Sequence, residues 1–151
     1  MKNIFILFLV IQSTFLACAQ GNEENKQIKE SNMKIKIKVG NNEFTADLYE
    51  NETAKAFAAK LPITVNMADL NGNEKYYNFP QNFSGGKAQS PGTIHTGDIM
   101  LWSTNCIVLF YKTFSTSYSY ISIGRIENTS GLETALGKGN IEVTFEVSDG
   151  T

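Results

Sequence analysis

Two residues have the side-chain types of covalent or general-base chemistry, Cys106 and His95, and neither has the surroundings that chemistry needs. A nucleophilic thiol needs neighbours that lower its pKa, whereas Cys106 runs into "IVLFY", an apolar stretch that raises it. His95, in "TIHTGD", has no carboxylate or thiol partner placed by the sequence and reads as a hydrogen-bonded turn residue. One histidine, one usable cysteine and no carboxylate cluster at ligand spacing give no zinc or calcium site, and no cofactor motif is present. "GKGN" (137–140) and "SGG" (84–86) are glycine turns without the strand and helix of a phosphate cradle.

Binding chemistry is better represented. "GDIMLWSTNCIVLFYKTFSTSYSY" (97–120) holds the only tryptophan, three tyrosines and two phenylalanines. In "KTFSTSYSY" the rings of Phe114, Tyr118 and Tyr120 are interleaved with the hydroxyls of Thr113, Ser115, Thr116, Ser117 and Ser119. Rings give contact area and hydroxyls give orientation, which is what a site for a small, mostly apolar ligand requires. Strands 98–102 and 106–111 are apolar on both faces, so each is covered on both sides or borders a pocket. Asp98, after Gly97, is placed to hold the turn into its strand.

The elements that would position these residues are mostly short strands. "MKIKIKV" (33–39) alternates, with Lys34, Lys36 and Lys38 on one solvated face that reads as a protected sheet edge. "EFTADL" resumes the alternation with Phe44, Ala46 and Leu48 inward. The period then becomes helical in "NETAKAFAAKLP", with Asn51 or Thr53 as cap and Pro62 as stop. "ITVNMADL" and "EKYYNF" flank Asn71-Gly72, a tight hairpin turn. An irregular segment covers 80–97; later come "YSYISIGRIE", a one- or two-turn helix in "SGLETALG", and the strand "IEVTFEV". The class is mainly β, a closed antiparallel barrel with one or two short helices.

The N-terminus is a different kind of sequence. Lys2, an apolar run from Ile4 to Ala17 and small residues thereafter have the layout of a secretory signal. "FLAC" (15–18) resembles a bacterial lipobox, which makes residues 1–18 a lipoprotein signal and Cys18 the lipidated residue; Ala17-Cys18-Ala19 leaves open an ordinary cut and a soluble secreted or periplasmic protein. Residues 19–32 are polar and aperiodic, a flexible tether reaching roughly 20 Å, and 33–148 form the domain. The expectation is an extracytoplasmic, membrane-anchored protein. A net charge of −2 with no basic stripe argues against nucleic acid.

"GNNEFTADLYENETAKAFAAKLP" (40–62) resembles the start of a cyclophilin. "NGNEKYY" (71–77), "GDIMLW" (97–102), "VLFYKTFSTSYSY" (108–120) and "IGRIE" (123–127) resemble a bacterial cyclophilin-like family distinct from the peptidyl-prolyl isomerases. The resemblance implies the cyclophilin barrel and singles out Glu74. For the isomerases of that fold it implies a guanidinium over a twisted amide beside an apolar proline pocket. The isomerase residues are not recognisable here: "YYNF" (76–79) stands where an Arg is expected, leaving Lys75 and Arg125 as the nearest donors. The reading is a binding module for a small apolar ligand or extended peptide, in a groove of Glu74, Tyr76, Phe79, Trp102, Phe114, Tyr118 and Tyr120. The alternative is a divergent isomerase acting on exported proteins through Lys75 or Arg125.

Overall fold

The computed structural model describes residues 33–148. The expected lipoprotein signal (1–18) and tether (19–32), Cys18 included, lie outside the described residues. Ten strands and two helices follow in the order β1 (Lys34–Val39), β2 (Asn42–Leu48), α1 (Glu52–Ala58), β3 (Ile63–Leu70), β4 (Glu74–Asn78), β5 (Thr93–Ile94), β6 (Asp98–Trp102), β7 (Cys106–Phe110), β8 (Phe114–Ser115), β9 (Ile121–Ile126), α2 (Leu132–Leu136) and β10 (Ile141–Val147). Eight strands close an antiparallel barrel in the order β1-β10-β3-β4-β7-β6-β9-β2, and β5 pairs with β8 as a separate two-stranded sheet.

Alternation fills the barrel. Ile35, Ile37, Ala46, Leu48, Met67, Ile99, Leu101, Ile107, Leu109, Ile123, Val143 and Phe145 point inward and are buried. Phe57 of α1 meets Phe145 edge to face, with ring centroids 5.4 Å apart. Asn51, not Thr53, caps α1: its Oδ1 accepts from the Ala54 amide at 2.9 Å. Thr53 is buried and donates to the Gly85 carbonyl, tying the irregular segment to the helix. Since α1 follows β2 and α2 follows the antiparallel β9, the helices stop opposite ends of the barrel.

Two expectations are corrected. Strand β1 is not an edge, because it pairs with β10 on one side and β2 on the other. Its lysines are solvated and reach across to carboxylates: Lys34 to Asp47 and Glu127, Lys36 to Glu43, Lys38 to Glu146. Closure of the barrel, not charge, removes the edge. The regions read as irregular segment and loop also pair, through β5 and β8, and this small sheet builds the site.

Candidate functional site

The register of β4, β6 and β7 fixes a second apolar surface on the outside of the barrel. Glu74 pairs with Phe110, Tyr76 with Val108 and Asn78 with Cys106, while Met100 and Trp102 of β6 pair with Val108 and Cys106. These residues share the outward face, and all but Asn78 and Trp102 at one end are at least half-buried. The cover comes from the chain before β6 and the chain after β7. Ile94, Met100, Cys106, Val108, Phe110 and Tyr120 form a cluster separate from the barrel core, with Tyr76 and Phe114 packed on it. Phe110 lies 5.8 Å from Phe114 and 5.6 Å from Tyr120, centroid to centroid.

Hydrogen bonds hold this cover in one place. Thr93 and Ile94 pair with Ser115 and Phe114. The Thr116 amide donates to the Gly92 carbonyl at 2.9 Å, and Gln89 and Tyr120 exchange two backbone bonds at 2.9 and 3.0 Å. The Thr96 amide donates to Thr113 Oγ1 at 3.1 Å.

Between cover and barrel lies a cavity of about 660 Å³. Leu70, Asn71, Asn73 and Glu74 form one end, and Asn78, Cys106 and Trp102 lie toward the other. Tyr76, Val108, Phe114, Tyr118, Tyr120 and the hydroxyl residues Ser115, Thr116 and Ser117 make the remaining walls. No Lys, Arg or His is in the lining. Trp102 and Tyr118 are 48% and 65% exposed, so the mouth of the cavity is aromatic.

Glu74 is the one ionisable carboxylate in the wall. It is 9% exposed and its side chain has no hydrogen bond or ion pair within the described residues. Burial pushes its pKa up, and the nearby Asp69 charge adds to the effect. Burial raises the Cys106 thiol to about 11, with Glu74 contributing, so this cysteine is a neutral wall residue and not a nucleophile. The Tyr120 phenol is raised as well, by burial first and Glu74 second, so the carboxylate acts on both residues. Asn73 carries a buried side-chain oxygen with no partner. Among the described residues no group of three or more His, Cys, Asp or Glu is placed to hold a metal.

Six of the seven residues expected to line a groove therefore come together: Glu74, Tyr76, Trp102, Phe114, Tyr118 and Tyr120. Phe79 does not join them. It is buried in the barrel core, edge to face with Tyr77 and Phe83 at 5.1 Å each. Alternation along β4 puts it with Lys75 and Tyr77, on the face opposite Tyr76.

The two candidate donors are also elsewhere. Lys75 is fully buried inside the barrel, where its Nζ donates to Asp69 Oδ1 at 2.7 Å and to the carbonyls of Gly137 and Gly139 at 2.9 and 2.6 Å. Tyr111 donates to the same Asp69 oxygen at 2.6 Å, and these two bonds hold the Asp69 carboxyl below its ordinary pKa. Arg125 stands on β9 opposite Asp98, its Nε 3.6 Å from Asp98 Oδ1 and outside the cavity wall. Asp98 holds its turn as expected, accepting from the His95 amide at 2.7 Å.

Sequence reasoning missed Leu70, Asn71, Asn73, Asn78, Cys106 and Val108 as wall residues. The signal for the last two was present, because a strand apolar on both faces with alternate residues beside Tyr76 must cover something outside the barrel.

No curated protein matches the sequence. The solution structure of a hypothetical protein from Archaeoglobus fulgidus is similar, with a TM-score of 0.59 and 25% sequence identity, over 80% of this chain and 98% of that one. A model of the cyclophilin-like family matches residues 37–146, which takes in the barrel except the first half of β1 and the last residue of β10, and every wall residue of the cavity. With that match over most of its length, the chain belongs to the cyclophilin-like family.

Proposed function

We propose that this protein is a ligand-binding module, held outside the cytoplasm by a lipid on Cys18, and that it works without isomerase machinery. The observation that carries the reading is the cavity itself: about 660 Å³, aromatic, walled by a hydrogen-bonded cover, and without a cation in its lining. Its size is that of a site for a small organic molecule. A prolyl isomerase of this fold needs a fixed donor above the peptide group. Lys75 is spent on three acceptors inside the barrel, and Arg125 faces Asp98.

Prolyl cis/trans isomerisation of a panel of X-Pro peptides by the purified protein tests this reading. The expected result is no acceleration over the uncatalysed rate. Catalysis that disappears in Arg125→Met would overturn it and give the divergent-isomerase reading its donor.

A further inference from the structure

Glu74 is the feature that the binding reading leaves unexplained. An ionised carboxylate that is buried and unpaired is costly, and buried charges in proteins are ordinarily paired. Among the described residues no donor answers it, and no Lys, Arg or His stands in the wall. The lining offers the rings of Tyr76, Phe114, Tyr118 and Tyr120, with Trp102 toward the far end. Aromatic faces are negative at the centre and attract a cation, with the strongest effect when water is excluded. Carboxylate and rings therefore favour the same sign of charge.

We infer that the cavity binds an organic ammonium ion, with the cationic head against Glu74 and Tyr120 and the organic remainder directed along β4 and β7 toward Trp102. The inference rests on the binding reading and specifies its ligand class. An anion would meet Glu74 with nothing to compensate it. A neutral apolar ligand would strip the last water from the carboxylate and leave it unpaired. A bare metal cation needs several oxygen ligands, and the wall offers one carboxylate. An alkylammonium pairs with the carboxylate and presents its alkyl groups to the rings. From Glu74 to Asn78 the strand runs about 13 Å, room for an organic portion beyond the head. The ammonium belongs either to a free small molecule or to a lysine side chain of a peptide.

The test is a titration followed by backbone amide and Trp102 indole chemical shifts, using choline and its uncharged isostere 3,3-dimethylbutan-1-ol. A short peptide with acetylated and amidated ends and one lysine is the third probe. Choline should bind saturably at least tenfold more tightly than the neutral isostere, with shifts clustered at Glu74 and Tyr120. In Glu74→Gln that preference should fall to near unity while the neutral isostere still binds. Tighter binding of the lysine peptide than of choline would assign the ammonium to a peptide, and the reverse to a free small molecule. Equal affinity of choline and the neutral isostere for the unaltered protein would overturn the inference while leaving a binding cavity in place. Saturable shifts with none of the probes would overturn both.

Discussion

At Glu74 the chain keeps a carboxylate where burial disfavours its charge, and a cost of that kind has a measurable signature. Because its folded-state pKa lies above the unfolded value, the penalty is full above the folded pKa and vanishes below the unfolded one, at about pH 4.3. Glu74→Gln is therefore expected to raise the thermal midpoint of the free protein at pH 7 and to leave it unchanged below about pH 4. Urea or thermal unfolding followed by circular dichroism at the two pH values checks this. A loss of stability at pH 7 would mean that Glu74 holds the fold together instead of being held by it. Lys75, its neighbour in sequence, is the converse case: a buried cation fully matched by Asp69, Gly137 and Gly139. Adjacent residues in a strand thus serve opposite faces, one the core and one the cavity.

Elements explain why part of the site was legible in the sequence and part was not. Strands long enough to show a period of two announced themselves, and the doubly apolar "DIMLW" and "CIVLF" pointed to a covered outer face. Strands β5 and β8 have two residues each, too few to carry any period, so in the sequence the cover is indistinguishable from irregular chain. Placing Phe79 in the groove ignored the alternation that places it inside, and Lys75 was available as a donor only while its partners at Gly137 and Gly139 were unknown. Those partners lie far along the chain, on the segment after α2, and no local pattern brings them together. Their role gives a prediction for the element. Lys75→Met leaves Asp69 and two carbonyls without their donor at the end of the barrel closed by α2, and should cost about 3 kcal/mol in chemical denaturation. Asp69 gives the same account its pH dependence. Its depressed pKa stabilises the fold above the unfolded carboxylate range, and that contribution is lost as pH falls through the folded value. A Lys75→Met protein of unchanged stability would contradict the assignment of this cluster to structure.

The whole molecule combines a closed barrel, whose interior is filled, with a cavity built on its exterior. The two parts answer to different sequence signals. The barrel follows from alternation and turn chemistry, and belongs to the family that the match over residues 37–146 establishes. The cavity depends on where segment 112–120 folds back. Membrane attachment is a further proposal, resting on the lipobox-like "FLAC" ahead of a polar tether. Cys18→Ser should abolish incorporation of labelled palmitate in bacterial cells and move the protein out of the membrane fraction; retention in that fraction with no label in the unaltered protein would remove the lipid anchor from the account. The central claim is that the exterior cavity is the binding site, and Trp102 is a built-in reporter at its mouth, the only tryptophan in the chain. The most direct measurement is a fluorescence titration with dansylcholine, an organic ammonium whose dansyl group accepts energy from tryptophan. The comparison protein is Val108→Phe, which fills the space between β7 and the cover. The account predicts one saturable site per chain in the unaltered protein, with quenching of Trp102, and loss of that site in a folded Val108→Phe. Undiminished binding in the filled variant, or none in the unaltered protein, would contradict it.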